Sequence, residues 1–455
     1  MVRQFEDSLK KQSFVFFELE DYEEIITHYV WQGNFKKGLQ AVRQAETQYP
    51  FSVEIMLLKA RLHYYTEDYD KALEIIEKAE NYQPNEAEIF LLRGNILHTR
   101  EKYDEAVREL NRALMLAEEK DEVLYNLGAI EKTRENYEQA IDYFKQALAA
   151  NPYHENALYD LTFCLEQTGR DDESIGYYKQ FIDTDPYSYF AWFNLGIAYT
   201  RLDQTEKALQ AFEYAVLIEE DFSSAHFNLG NAHMQLGQYR EALNAFYQVL
   251  KLEGASAEVY NMIGAVYEKM AQYDLGLKYF QKATKLENLN DQAWYGAGLC
   301  MSKLERWYEA VHFFSKALKL DNANPLYWQA IAKADYKVGN LISSLDAYEE
   351  AAMLMPEEPQ TWLDWSYVYF EQGDLRKAIG TIERGLEENP QDADLMYRLA
   401  AYNIADNNYQ EAFHSLENAL ILDFDKHTEL LRFFTNLETQ KALYKIIEKF
   451  RKDHS

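Results

Sequence analysis

The segment YFAWFNLGIAYTRLDQTEKALQAFEYAVLIEEDF, residues 189–222, contains two amphipathic patterns in succession. The first has apolar, aromatic and small residues at the spacing of one helix face, namely Trp192, Leu195, Gly196 and Tyr199. The second repeats that spacing with Ala208, Phe212 and Ala215. Residues 201–205 separate the two patterns and predict a turn. The segment therefore predicts a helix–turn–helix unit.

The same pattern recurs along the chain at a fixed period of 34 residues. Repeats are predicted to start at 19, 53, 87, 121, 155, 189, 223, 257, 291, 325, 359 and 393, without insertion or deletion. The twentieth position is small in every repeat: Gly38, Ala72, Ala106, Ala140, Ser174, Ala208, Ala242, Gly276, Ala310, Ser344, Ala378 and Ala412. A small residue there predicts that the two helices of a repeat approach closely. The twenty-fourth position is always apolar or aromatic.

The eight prolines support this register independently. Six of them occupy position 32 and two occupy position 1, so that all fall at junctions between repeats. A proline inside a helix costs about 3 kcal/mol, whereas the first turn of a helix tolerates it.

Period, residue size and proline placement together resemble the tetratricopeptide repeat family over residues 19–426. The resemblance implies an all-α fold, a right-handed superhelical solenoid of twelve helix–turn–helix repeats. First helices would line a concave groove and second helices would face outward. Local departures are Phe181, which replaces alanine at position 27, and Asp171 and Thr205 at position 17.

Both ends of a solenoid need a cap, because a terminal repeat exposes a face that internal repeats bury. Residues 1–18 are predicted to form an N-terminal capping segment that covers the first repeat with Phe14, Phe16 and Phe17. Residues 427–455 are predicted to form C-terminal capping helices. Their inward face would consist of Leu430, Leu431, Phe433, Phe434, Leu437, Leu443, Ile446, Ile447 and Phe450, and their outward face would carry Lys441, Lys445, Lys449, Arg451 and Lys452.

Composition excludes several function classes. The net charge of −30 repels phosphate backbones, so we expect no nucleic-acid partner. No phosphate-binding loop, metal-ligand spacing or catalytic motif occurs, so we expect no enzyme activity, cofactor or metal site. Cys164 and Cys300 match no redox spacing and are expected to be buried small side chains. Neither a signal peptide nor a membrane span is predicted, which favours a cytoplasmic location without membrane insertion.

Function is then expected in the groove, where the family places positions 2, 5, 6, 9, 12 and 13 of each first helix. In the middle of the chain these positions combine aromatic rings with amides. The candidate partner-binding residues are Tyr125, Asn126, Tyr159, Phe163, Phe190, Phe193, Asn194, Phe227, Asn228, Asn231, Asn261 and Tyr295. Rings supply contact area, and an amide can both donate to and accept from a partner backbone. The alternative is that the rings pack between neighbouring repeats and the amides bridge adjacent helices.

Aromatic residues are densest at the junction of the fifth and sixth repeats, from Tyr177 to Phe193. This density fits either a binding surface or local repacking around Phe181. The family's clamp for C-terminal carboxylates of chaperones requires lysine at position 5 together with asparagine at position 9. Asn95 and Asn231 hold position 9, but Leu91 and Phe227 hold position 5, so we expect no such clamp.

The sequence thus predicts a protein-interaction scaffold or adaptor that binds a peptide segment or helix of a partner protein. Two alternatives remain open at this point. The chain could be a regulatory or substrate-recruiting subunit of an enzyme complex, or a chaperone-like assembly factor. The oligomeric state is not predicted.

Overall fold

A computed structural model describes residues 1–11, 15–434 and 437–454 of the chain. Within these residues the fold is all-helical and contains no β-strand. The chain divides into two compact units, Met1–Glu220 and Asp221–Ser455. In each unit, consecutive helices pack against each other as a solenoid of helix pairs.

Unit 1 contains the first thirteen helices. They are α1 (Val2–Lys11), α2 (Leu19–Trp31), α3 (Phe35–Gln48), α4 (Val53–Tyr65), α5 (Tyr69–Tyr82), α6 (Ala87–Thr99), α7 (Tyr103–Leu116), α8 (Asp121–Thr133), α9 (Tyr137–Ala150), α10 (Glu155–Gln167), α11 (Asp171–Thr184), α12 (Tyr189–Arg201) and α13 (Thr205–Ile218).

Unit 2 contains the remaining helices. They are α14 (Ser223–Gln235), α15 (Tyr239–Glu253), α16 (Ala257–Lys269), α17 (Tyr273–Leu286), α18 (Asp291–Lys303), α19 (Trp307–Leu320), α20 (Pro325–Val338), α21 (Leu341–Leu354), α22 (Pro359–Glu371), α23 (Leu375–Glu388), α24 (Ala393–Ala405), α25 (Tyr409–Leu422), α26 (His427–Phe433) and α27 (Leu437–His454).

Each even-numbered helix from α2 to α24 begins at a residue where the sequence places the start of a repeat. The turn to the following helix contains one residue with positive φ at position 15. These residues are Gly33, Glu67, Glu101, Glu135, Gly169, Asp203, Gly237, Ala271, Glu305, Gly339, Gly373 and Asn407. A left-handed residue turns the chain sharply enough for the second helix to fold back on the first. The sequence alone does not reveal this position, because glycine occupies it in fewer than half of the repeats.

The two helices of a repeat meet where a small residue at position 8 faces a bulky one at position 24. A Cβ added at Gly128 would lie 2.6 Å from the Phe144 ring, and one added at Gly230 would lie 2.7 Å from the Phe246 ring. In the fifth repeat Thr162 replaces glycine, and its hydroxyl lies 2.6 Å from that of Tyr178. The hydroxyl pair preserves the contact with a hydrogen bond where the other repeats use close packing.

The small residue at position 20 packs in two directions. A Cβ added at Gly276 would lie 3.2 Å from the Gly264 carbonyl oxygen in the same repeat and 3.0 Å from Cys300 Sγ in the next. The predicted close approach of the helices is therefore present, and it extends to the neighbouring repeat.

The N-terminal segment packs against the first repeat through Phe17, as predicted, and through Phe5, which was not predicted. Phe5 on α1 and Phe17 are buried in a cluster with Tyr22 and Tyr29. Phe16 is exposed, so its predicted burial was wrong. It precedes the buried Phe17 in an extended stretch, where successive side chains point to opposite sides. The expectation for Phe14 falls outside the described residues.

The C-terminal segment packs its apolar side against the last helix pair. Leu430, Leu443 and Ile447 are buried in one cluster with Leu416 and Leu420 of α25. Partly buried side chains surround them: Leu431, Phe433, Phe434, Ile446 and Phe450. The outward residues Lys441, Lys445, Lys449 and Arg451 are exposed. The side chains of Leu437 and Lys452 fall outside the described part of the chain.

Candidate protein-interaction site

In unit 1 the first helices of successive repeats lie side by side and form a continuous surface, which we call the first-helix face. Position 12 of one helix contacts position 13 or 6 of the next. The pairs are Tyr64 Oη with Thr99 Oγ1 at 3.2 Å, His98 Nε2 with Thr133 Oγ1 at 3.3 Å, and Lys132 Nζ with Asp160 Oδ1 at 2.6 Å. The candidate residues of unit 1 lie on first helices of the same face, at or near the corresponding positions.

Tyr125 packs against two other rings of the fourth repeat. Its ring centroid lies 5.8 Å from that of Phe144 and 4.9 Å from that of His154. Burial, and then the nearby Asp160 carboxylate, raise the pKa of Tyr125 to about 12. Packing against neighbouring side chains therefore accounts for most of the surface of the Tyr125 ring.

Tyr159 is the most open aromatic among the candidates. It is 49% exposed, and its ring lies 6.2 Å from that of the half-buried Phe190 on the next first helix. Phe163 is half-buried on the same helix as Tyr159, with its ring 6.4 Å from Tyr137 and 5.9 Å from Lys132 Nζ. The structure thus brings Tyr159 and Phe190 together at the surface and draws Phe163 toward the preceding repeat.

Phe193 combines both interpretations. It is half-buried, and its ring lies 5.9 Å from that of the fully buried Phe212. The neighbouring Asn194 donates its amide to the Phe190 carbonyl at 2.9 Å, and Asn126 likewise donates to the Glu122 carbonyl at 2.7 Å. These amides bond within their own helix, so the expected bridge to an adjacent helix is absent from the described contacts.

Unit 2 repeats this arrangement. Phe227 and Tyr295 are half-buried, with rings 5.7 Å from Phe246 and 5.7 Å from Phe314 respectively. Tyr295 also packs 4.7 Å from Tyr327, and burial raises its pKa. Phe193, Phe227 and Tyr295 at position 5 therefore pack against the position 24 ring of their own repeat and are only partly exposed.

The three asparagines of unit 2 differ in their hydrogen bonding. Asn228 donates to the Ser224 carbonyl at 2.9 Å, the same local bond as in unit 1. Asn231 and Asn261 each have a buried Oδ1 that accepts no hydrogen bond from the described residues. A buried acceptor without a donor is unusual, and it makes these two amides the ones with unused bonding capacity.

The aromatic junction of unit 1 owes part of its density to packing. Phe181 is buried, and Tyr177 and Phe181 line a cavity of about 160 Å³ beside Pro152. Trp192 stacks on Tyr214 at 4.4 Å and donates its indole N–H to the Pro186 carbonyl at 3.0 Å. The same indole bond to the residue six positions earlier recurs at Trp294, Trp328 and Trp362.

A larger cavity lies at the C-terminal end of the first-helix face of unit 2. Its volume is about 460 Å³, and its walls come from α22, α24 and α26: Gln360, Leu363, Asp394, Tyr397, Arg398, Ala401, Leu430 and Phe433. This cavity lies outside the central repeats whose groove positions were predicted to bind a partner. Position 6 of the last repeat is Arg398, whereas position 6 of the fourth to seventh repeats carries amides and one acid, and this change was the available signal.

Among the described residues, no cluster of three or more His, Cys, Asp or Glu side chains could hold a metal ion. Cys164 and Cys300 are free and buried, and burial raises the pKa of each thiol to about 12. In the same part of the chain, every helix is too short or too polar to traverse a bilayer.

The repeat pattern, the helix pairs and the turn geometry identify the class of the protein as a helical repeat scaffold. Five family models described as tetratricopeptide repeat match the chain. One matches residues 25–82 and 363–426, a second 85–152 and a third 133–195. A fourth matches residues 191–222 and 257–288, and a fifth 223–254. The chain belongs to the tetratricopeptide repeat family. A search of curated proteins found no match.

Several solved structures align with part or most of the chain. The hetero-tetramer Cut9-Hcn1 of the APC/C shares 14% identity, with coverage of 84% of this chain and 89% of that chain and a TM-score of 0.43. YrrB, described as a TPR protein with an unusual peptide-binding site, shares 20% identity over 40% of this chain and 95% of its own, with a TM-score of 0.34. MamA shares 26% identity over 36% of this chain and 95% of its own, with a TM-score of 0.34.

Family membership supports a general role as a protein-interaction scaffold, because helical repeats present extended surfaces built from many equivalent side chains.

Proposed function

We propose that this chain binds a peptide segment or helix of a partner protein on the first-helix face of unit 1. The proposed contacts are Tyr125, Asn126, Tyr159, Phe163, Phe190, Phe193 and Asn194. Unit 2 would offer an equivalent face with Phe227, Asn228, Asn231, Asn261 and Tyr295. The proposal includes twelve repeats over 19–426, capping segments at 1–18 and 427–455, a cytoplasmic location and no catalytic step by the chain itself.

The observation that carries the proposal is the Tyr159–Phe190 pair. The two rings lie 6.2 Å apart on adjacent first helices, and Tyr159 keeps about half of its surface exposed at 49%. Partly buried aromatic side chains at a surface often anchor protein interfaces, because a ring buries a large area at a small entropic cost. The half-buried Phe193 extends this platform along α12.

Electrostatics narrow the partner for unit 1. Acidic residues outnumber basic ones in residues 1–220, which favours neutral or basic segments over acidic ones at this face. The Asn126 and Asn194 side chains use their N–H groups within their own helices. Their carbonyl oxygens would then act as acceptors for partner N–H groups.

The test is crosslinking and affinity capture from a native cell extract with the full chain. A Tyr159→Ala/Phe190→Ala variant should lose the principal partner, with binding weakened by about 2 kcal/mol or more for a pair of anchors. The matched control is Tyr153→Ala/Tyr187→Ala, which removes two more exposed rings from the junctions between repeats.

Circular dichroism should show all three proteins folded with similar melting temperatures. Equal capture by the anchor variant and the wild type would contradict the proposal. A captured partner that carries catalytic activity would identify the chain as the regulatory subunit of an enzyme. Many unrelated clients would instead indicate a chaperone-like factor.

A further inference from the structure

The cavity of about 460 Å³ at the end of unit 2 contains a cation without a carboxylate partner. Among the described residues, Arg398 forms no ion pair. Its guanidinium lies 5.8 Å from the Tyr402 ring centroid, 5.5 Å from that of Phe433 and 6.0 Å from that of Tyr367. Nη1 donates a long hydrogen bond of 3.4 Å to the Tyr402 hydroxyl. The three rings hold the guanidinium in place and leave most of its N–H groups available.

Among the described residues, the acidic groups near Arg398, Asp394 and Asp364, each accept a hydrogen bond from another side chain. Asp394 accepts from Lys426 Nζ at 2.7 Å, which neutralises both charges. Asp364 accepts from the Gln360 amide at 2.7 Å, and burial raises the pKa of its carboxyl although Lys333 and Arg398 act to lower it. Among the described lining residues, Arg398 is therefore the cation that remains for a ligand.

Half of the lining residues are apolar. Leu363, Ala401, Leu430 and Phe433 border the same space as Arg398. A cavity of this volume is in the range of about 300–1,000 Å³ that ligand sites occupy. The ligand should thus combine one negative charge with an apolar group beside it. A phosphate, with up to two charges, would require a second free cation.

We propose that this cavity binds the side-chain carboxylate of an aspartate or glutamate in a partner peptide, together with a neighbouring apolar side chain. The guanidinium of Arg398 would donate two parallel N–H bonds to that carboxylate. The inference deepens the proposed peptide-binding function and rests on it, but it concerns unit 2 and a different set of residues.

A side-chain carboxylate fits better than the carboxylate at a chain terminus. A terminal residue would bring its last peptide group into the cavity, and that group needs its own hydrogen-bond partners. The Gln360 amide is bonded to Asp364, and the Tyr397 hydroxyl donates to the Asp423 carbonyl at 2.8 Å. A side chain carries only methylene groups beside its carboxylate, which suit the apolar wall.

The test uses the full chain and two random heptapeptide libraries, both acetylated at the N-terminus. One library is amidated at the C-terminus and the other ends in a free acid. Wild-type protein should enrich Asp or Glu beside Leu, Ile or Phe from the amidated library. The best peptide, labelled with fluorescein, should bind Arg398→Gln at least about thirtyfold more weakly, the usual result of removing one member of a buried charge pair.

The matched control is Arg384→Gln on α23. Arg384 also lies over two rings, 5.5 Å from Trp362 and 5.1 Å from Trp365, but it does not line the cavity. This variant should bind the peptide as the wild type does. Because Arg398→Gln also removes ring contacts, its melting temperature is measured by circular dichroism. Arg398→Glu provides a second criterion and should shift enrichment to Lys or Arg.

Three outcomes would overturn the inference: enrichment only from the free-acid library, the same selection on Arg398→Gln as on the wild type, or selection of peptides without acidic residues. In the last case, the proposed function would still stand if the selected peptides bound the wild type but not the Tyr159→Ala/Phe190→Ala variant. If neither library yielded any enriched peptide, that result would count against both proposals.

Discussion

A Cβ atom added at Gly196 would lie 2.5 Å from Cε1 of Phe212. No ordinary contact is that short, so the glycine is required by the ring that faces it across the helix pair. The Phe212 ring also packs against the buried side of the Phe193 ring. One position on the second helix of the repeat thus fixes both the helix separation and the platform on the first-helix face.

Replacement of Gly196 with alanine should lower the free energy of unfolding of the surrounding repeats by about 1–3 kcal/mol, the typical cost of overpacking. The matched control is Gly176→Ala on α11, where an added Cβ meets nothing within 4 Å. That change should stabilise its helix by up to about 1 kcal/mol, because alanine favours helix more than glycine does. Urea unfolding followed by circular dichroism measures both. Shifts of the same sign would contradict the explanation.

The ion pair between Lys132 and Asp160 joins two repeats of unit 1 at 2.6 Å, and the Asp160 side chain is only 7% exposed. Lys132→Met should leave a buried carboxylate without its partner and destabilise the unit by roughly 3 kcal/mol. Asp160→Asn in the same background should restore part of the loss, because it removes the stranded charge. Urea unfolding measures both effects.

The control for that pair is Lys78→Met on α5, which breaks an exposed pair with Glu74 whose side chains are 62% and 63% open. Water screens such a pair, so the urea midpoint should not change measurably. Equal losses for Lys132→Met and Lys78→Met would show that burial of Asp160 is not the cause.

Unit 1 should lose stability at alkaline pH. Burial is the main cause that raises the pKa of Tyr22, Tyr29 and Tyr125 to about 12. In the unfolded chain these hydroxyls titrate near their ordinary value of about 10. Between these values the unfolded state binds fewer protons than the folded state, so the free energy of unfolding falls as pH rises from about 10 to about 12.

Urea unfolding across that range, with phenolate absorbance recorded in parallel, measures this effect. Tyr29→Phe removes one of the three groups and should make the decline shallower. An unchanged slope in Tyr29→Phe would show that this hydroxyl is not protected by the fold.

Deletion of residues 427–455 should destabilise the last helix pair. Leu430, Leu443 and Ile447 share a buried cluster with Leu416 and Leu420, which the deletion would expose. Terminal repeats then fray first, because each repeat is stabilised mainly by its neighbours. Hydrogen exchange should show faster exchange in α24 and α25 and little change in α2 to α13. Unchanged exchange in α25 would argue for a docking role of the segment instead.

The repeat organisation follows from the sequence alone. The period, the small residue at position 20, the bulky residue at position 24 and the prolines at the junctions predict where each helix pair begins. These signals are readable because the contacts that form a repeat are local in sequence and recur with the same period. The family follows from the same pattern.

Tertiary structure decided which of the candidate side chains are available. Tyr125 and Tyr159 share position 5, yet His154 packs on the first and the second remains 49% exposed. The period assigns both to one face, whereas exposure depends on which side chain the end of the repeat places against each ring. Phe5 and the cavity around Arg398 depend on the capping helices, which lie outside the period. A repeating pattern determines the scaffold, but the contacts made by its non-repeating residues exist only in three dimensions.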